Sequence, residues 1–305
     1  MKIKTILKIC VVAGTLVGGA NCENGQVPTV VPQEIVTDFL KGYTPDERAR
    51  IEEDLKAVRS LTFRGLSKPC ITQYIATAGG PGAGKSTILE TYVHDNKIDN
   101  IAYIDPDQRA LRFMINTYYL DLNLYAISKV GSYEELLAKG YEKWRGGSNY
   151  IANTLLNEAI AGGYSVMHGT TSTGASVDQL YDKLRARGYE IIILVCASSL
   201  ENRQKALAWR AKDQGFVQSD PEDVITKGKA LFERLPVYLA KADRVMMYWS
   251  DDFAKGARLV ARFDKGVGVK VLSPDLKKIE ELYEEVRHEK GGKLPAFQDL
   301  VRGVK

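Results

Sequence analysis

The chain has 305 residues, is 45% hydrophobic and 26% charged, and carries a net charge of +4. That is ordinary globular composition, enough to bury a sizeable core, and one large α/β unit with helical additions is the simplest organisation that fits the length. No dense Lys/Arg run interleaves with aromatics, so a nucleic-acid partner is not expected.

The chain opens on Lys2, Lys4 and Lys8, an apolar run Ile9–Val17 and the small residues Gly18, Gly19 and Ala20. A positive start, a short apolar run and small residues describe a secretory signal peptide over 1–20, cleaved after Ala20. The run falls short of the roughly 20 apolar residues that a spanning helix needs, so no stable membrane span is expected. Cys22 opens the alternative of a lipid-anchored cysteine, although Gly19 stands where a lipobox carries Leu; a cytoplasmic chain with an uncleaved start is the third alternative. Cys22 and Cys70 could pair after export, and Cys196 lies within a strand pattern.

Residues 21–70 read as a polar linker followed by N-terminal helices. Thr44-Pro45-Asp46-Glu47 is a helix start with a capping box, followed by Ile51, Leu55, Val58 and Leu61 at helical spacing. Residues 71–265 read as the main domain. Strands are expected at Tyr74–Ala78, Ile101–Ile104, Tyr164–Met167, Glu190–Cys196 and Val245–Tyr248. Helices are expected at Lys85–His94, Ser148–Ala161, Val177–Arg187, Leu200–Lys212 and Pro221–Leu235. This alternation predicts a parallel sheet with helices on both faces. Residues 266–305 read as a C-terminal helix, capped at Ser273-Pro274-Asp275 and running to Glu289, with a tail.

Gly79-Gly80-Pro81-Gly82-Ala83-Gly84-Lys85-Ser86 matches G-x-x-x-x-G-K-[ST], with a strand before it, Thr87 after it and a helix following. Glycines let backbone N–H groups turn towards phosphate oxygens, and the helix N-terminus adds partial positive charge. Lys85 would reach the β and γ phosphates of ATP, and the Ser86 hydroxyl would bind Mg²⁺. Asp105-Pro106-Asp107 ends the second strand, beside the loop in a doubly wound sheet. A kinase needs a base for the attacking hydroxyl, and Asp107 and Asp105 are the candidates. Arg203 and Arg210, two turns apart on one helical face, are candidates for stabilising charge on the transferring group.

These residues resemble the zeta toxin family of P-loop kinases over about Gln73 to Tyr248. The matching pieces are Gly79–Thr87, Tyr103–Asp107, Ser148-Asn149, His168-Gly169-Thr170 and the Arg210 region before Pro221. The resemblance implies a P-loop kinase fold and transfer of the ATP γ-phosphate to a sugar hydroxyl, UDP-N-acetylglucosamine in the bacterial toxins. It implies Lys85 and Ser86 on phosphate and metal, Asp107 as general base and Arg210 as a lid arginine. Asp105, Asn149, His168 and Thr170 fall where the substrate is held. It also implies an antitoxin-like or host protein partner.

The sequence departs from the family at His168, where a Glu is usual, and near Ser172, where an Arg is expected. Asn153 or a neighbour stands where the preceding helix carries an acidic residue, and the second lid arginine falls on Gln218. An altered acceptor pocket is expected, and another small-molecule or nucleic-acid-end kinase stays open. So does a nucleotide-binding module without transfer activity.

Overall fold

In the computed structural model, residues 29–128, 131–214 and 220–302 are described. The signal-peptide reading, Cys22 and Gln218 therefore lie outside the described residues. Seven strands form one sheet: β1 (Gln73–Ala78), β2 (Ala102–Ile104), β3 (Val166–His168), β4 (Glu190–Ser198), β5 (Arg244–Ser250), β6 (Arg258–Asp264) and β7 (Gly268–Val271), in the order β2-β3-β1-β4-β5-β6-β7. The strands β1 to β5 pair in parallel. The hairpin β6–β7 adds two antiparallel strands at the β5 edge and carries the sheet past residue 265. That hairpin, absent from the sequence reading, is short and mixes apolar with charged residues.

The helices are α1 (Gln33–Asp38), α2 (Pro45–Phe63), α3 (Lys85–Asp95), α4 (Tyr118–Ser128), α5 (Tyr133–Gly162), α6 (Val177–Arg185), α7 (Leu200–Gln214), α8 (Pro221–Lys241), α9 (Leu276–Glu289) and α10 (Phe297–Arg302). Alternate β4 residues serve the two faces of the sheet. Ile191, Ile193, Val195 and Ala197 join the large core with α5, α6, α8 and α9. Ile192, Leu194 and Cys196 join Ile88, Leu89 and Tyr92 of α3. Burial on both faces explains the uninterrupted apolar run of this strand.

The N-terminal helix starts as read: Thr44 accepts the Glu47 amide and Glu47 accepts the Thr44 amide. Ile51, Leu55 and Val58 are buried, while Leu61 is exposed. Asp54 on the same helix is fully buried and accepts the Asn116 amide at 2.9 Å and the Thr117 hydroxyl at 2.6 Å.

The largest departure is α5, which spans 30 residues rather than beginning at Ser148. Gly146 and Gly147 do not break it. A Cβ on Gly146 would lie 2.8 Å from the Phe39 carbonyl oxygen, and one on Gly147 would lie 3.1 Å from Ile51. The pair lets α5 pass close to α1 and α2. Likewise α8 continues to Lys241 through Pro236, where the sequence reading stopped at Leu235. Asp275 makes no side-chain cap on α9; its carboxylate instead pairs with Arg258 and Lys278. No helix among the described residues is long and apolar enough to cross a membrane.

Candidate active site

The glycine-rich loop leaves the buried C-terminal end of β1 and enters α3. Gly82 and Gly84 adopt φ of 78° and 74°, the left-handed region that suits glycine. Gly79 is demanded by proximity, since a Cβ there would lie 2.6 Å from the Cys196 carbonyl oxygen. The Gly79 amide donates to the Thr171 carbonyl at 3.0 Å, tying the loop to the segment after β3. The loop residues Pro81 to Thr87 line a cleft of about 530 Å³.

Lys85 begins α3, and its Nζ donates to the Gly80 carbonyl across the loop at 3.0 Å. Loss of hydration lowers its pKa from 10.5 to about 8. Arg210 adds to that lowering, while Cys196, Asp107 and Asp105 oppose it. A polyphosphate would supply the compensating negative charge.

On the opposite wall, Asp105 caps a wide helical turn over Pro106–Ala110. Its Oδ1 accepts the Asp107 and Gln108 amides, both at 2.8 Å. Asp105 is 6% exposed, and burial raises its carboxyl to about pKa 6, with Asp107 adding to the rise. The cap fixes where Asp107 stands. Asp107 lines the cleft, and the Tyr141 hydroxyl donates to it at 3.4 Å. Gly169 completes this packing, because a Cβ there would overlap the Asp105 carboxylate. Arg210 of α7 faces the same cleft.

Residues 72–220 match the family model described as Zeta toxin. The segment 72–220 belongs to the zeta toxin family of P-loop kinases. The chain is an ATP-dependent phosphotransferase of this type. Among solved structures it is similar to one from the PezAT chromosomal toxin–antitoxin system of the human pathogen Streptococcus pneumoniae. That likeness has a TM-score of 0.54 at 18% identity and covers 83% of this chain and 100% of that one. It is also similar to the AvrRxo1-ORF1:-ORF2 structure with ATP, with a TM-score of 0.56 at 15% identity, covering 85% and 79% of the respective chains. The corresponding structure with sulphate ions has a TM-score of 0.56 at 13% identity, covering 84% and 78%. No curated protein matches the chain. At these identities the solved structures establish the fold.

Within this zeta toxin fold, the cleft gathers most of the residues singled out from sequence. Asp105, Asp107, Asn149, Thr170, Arg210 and the loop from Pro81 all line it. Two do not. His168 turns into the sheet, where its Nδ1 lies 2.7 Å from the Tyr74 hydroxyl. Burial holds it neutral, with its pKa lowered to about 4. It is a partly buried histidine satisfied by Tyr74 and is not among the cleft-lining residues.

Arg203 is the second correction. It shares a helical face with Arg210, but two turns correspond to about 11 Å of rise. The edge of the phosphate loop lies within that span. A Cβ on Gly82 would collide with the Arg203 carbonyl, so α7 packs directly on the loop there. Arg203 is therefore buried behind the loop, whereas Ala206, Trp209 and Arg210 reach the cleft.

Sequence reading missed several lining residues. Arg112 follows the capped turn, and Arg145 lies in the unassigned half of α5 with its guanidinium 5.0 Å from the Tyr141 ring centre. Trp209 and Phe253, with ring centres 5.7 Å apart, also line the cleft. Buried Thr77 donates to the Thr170 carbonyl at 2.7 Å and accepts its amide at 3.1 Å, which orients the Thr170 segment. A Thr in an apolar strand directly before the glycine loop was the available signal.

Proposed function

We propose that this chain transfers the γ-phosphate of ATP to a hydroxyl of a sugar nucleotide or a similar small molecule, with Asp107 as general base. The observation that carries this is the placement of Asp107, by the Asp105 cap, in the same cleft as Lys85 and Arg210. The phosphates would lie along the Gly82–Thr87 amides, with the Lys85 ammonium on the β and γ oxygens. The acceptor hydroxyl would donate its proton to Asp107 as it attacks in line, and Arg210 would stabilise charge on the transferring group. The exposed Trp209 ring and the partly buried Phe253 ring would flank the purine.

The residues present suit magnesium. Ser86 offers a hydroxyl at the loop, in the cleft where the phosphates would lie. Among the described residues no cluster of three His, Cys, Asp or Glu side chains could hold a metal ion. A hard cation bound by one or two protein oxygens plus phosphate oxygens is the usual arrangement for Mg²⁺ in such sites. When bound, magnesium would neutralise charge on the β and γ phosphates.

The acceptor wall supports a substrate other than UDP-N-acetylglucosamine. His168 stands in place of the family's usual Glu and is occupied by Tyr74, while Ser172 stands near the expected Arg. A site with different hydrogen-bonding groups leaves the family's usual substrate unpaired. The similarity to a structure from a toxin–antitoxin system and to the AvrRxo1-ORF1:-ORF2 structures supports a protein partner. The N-terminal pattern supports export of the mature chain, and a reporter fused after Gln26 would then reach the oxidising side of the membrane; a cytoplasmic reporter removes that part of the reading.

The test is ADP release by the chain begun near Asn21, with Mg-ATP and a panel of sugars, UDP-sugars and nucleosides. One acceptor should raise turnover, and Lys85→Ala and Asp107→Asn should abolish the rise. ATP binding with no acceptor-dependent turnover would favour a binding module instead.

A further inference from the structure

Arg203 is a buried cation with no carboxylate partner among the described residues. It is 7% exposed, and no described residue forms an ion pair with it. Its one guanidinium hydrogen bond among the described residues runs from Nη1 to the Val224 carbonyl at 2.6 Å. Burying a guanidinium without a counter-charge is costly, so a role that offsets the cost is expected.

Its surroundings indicate that role. The guanidinium is clasped between two glycines from different elements. A Cβ on Gly80, in the phosphate loop, would lie 2.5 Å from Nη1. A Cβ on Gly228, in α8, would collide with the guanidinium. The α7 backbone at Arg203 lies against Gly82 in the same way. One residue therefore touches the phosphate loop at two points, fills the space before α8, and hydrogen-bonds to the first turn of that helix.

We propose that Arg203 is a positioning residue for nucleotide binding, which braces the phosphate loop from behind and ties it to the start of α8. This rests on the ATP-binding reading of the loop and not on the identity of the acceptor. Three consequences follow from the packing. The loop must keep its shape when empty, because its glycines supply no side chains to hold it, and the flat guanidinium against Gly80 does so. A fixed positive charge directly behind the loop also favours a polyphosphate in front of it. Finally, Val224 lies one turn before Lys227, which lines the cleft, so displacing the α8 anchor also displaces that lysine.

The glycine at 228 follows from the same contact. An alanine there would place a methyl group where the guanidinium lies, and the bond to Val224 leaves that group little freedom to move. Gly228→Ala therefore perturbs the brace from α8 without altering a residue of the phosphate loop or the cleft lining.

The experiment compares wild type, Arg203→Met, Arg203→Lys, Gly228→Ala and the Arg203→Met/Gly228→Ala double variant. ATP dissociation constants are measured by calorimetry, with Lys85→Ala as the control for specific binding. Arg203→Met should weaken ATP at least tenfold, and Arg203→Lys should recover only part of the loss, since an ammonium cannot span both glycines. Gly228→Ala should weaken ATP several-fold. The double variant should be no worse than Arg203→Met alone, because the methyl group harms only when the guanidinium is present. Additive losses, or an Arg203→Met protein that binds ATP as wild type does, would overturn the proposal. If Arg203→Met does not fold, a folded Gly228→Ala protein with wild-type affinity overturns it equally. Failure of wild type to bind ATP above the Lys85→Ala level would instead sink the ATP reading on which the proposal rests.

Discussion

At the scale of single residues, the two aspartates of one short motif have separate duties. Asp105 spends its carboxylate on the Asp107 and Gln108 amides, whereas Asp107 projects into the cleft. Asp107→Asn should leave ATP affinity within about twofold while lowering turnover by about 10²–10⁴, the range for loss of a general base. Asp105→Ala should act differently, lowering both turnover and thermal stability because it removes the cap; a variant as stable as wild type would refute the capping role. Lys85 gives a pH dependence. In the free protein its pKa is about 8, below the ordinary 10.5, so the ligand-free fold gains stability as pH rises from about 8 towards 10.5. Phosphate oxygens favour the charged form and raise that pKa. ATP affinity should thus be full below about pH 8 and fall above it, with one proton taken up on binding. Calorimetry at pH 9 in two buffers of different ionisation enthalpy reads that uptake directly, and equal heats would contradict it.

At the scale of elements, local rules were legible where local chemistry decides, and were misleading where packing decides. The glycine loop, the Thr44 capping box and the parallel strands follow from residues close in sequence, and the structure forms them. The first half of α5 was lost because Gly146-Gly147 reads as a break, yet the pair serves close approach to Phe39 and Ile51. With that half went Arg145, and with the unassigned segment after Asp107 went Arg112. Arg203 and Arg210 looked equivalent because periodicity assigns a face and not a position along the axis. His168 could not be placed without knowing that Tyr74 lies across from it. The same reasoning marks Asp54 as decisive for α2. Asp54→Ala would leave the Asn116 amide and Thr117 hydroxyl without their acceptor in a buried site. That should cost about 2–6 kcal/mol, at about 1–3 kcal/mol per unsatisfied buried group, read as a lowered denaturation midpoint. A loss below about 1 kcal/mol would mean the two donors find other partners.

At the scale of the whole molecule, the cleft has walls from different parts of the fold. One wall is the phosphate loop with α3, anchored in the centre of the sheet. A second is the capped turn with α5, at the β2 edge. A third is α7 with the start of α8 and the β5–β6 connection. Nucleotide placed along the loop contacts the first and third walls, and an acceptor beside Asp107 contacts the second. Each ligand therefore adds contacts between elements that are otherwise joined mainly through the sheet. Binding to the folded state alone stabilises by about 2.7 kcal/mol when the ligand stands at a hundred times its dissociation constant. At about 2–4 °C per kcal/mol for a domain of this size, that corresponds to a rise in melting temperature of about 5–11 °C. Saturating ATP should give that rise for wild type, and Lys85→Ala should show none. Asp107→Asn should keep the full rise, because its wall is met by the acceptor and not by the nucleotide. An Asp107→Asn protein that lost the rise would place Asp107 in the nucleotide site and remove it from the role of base.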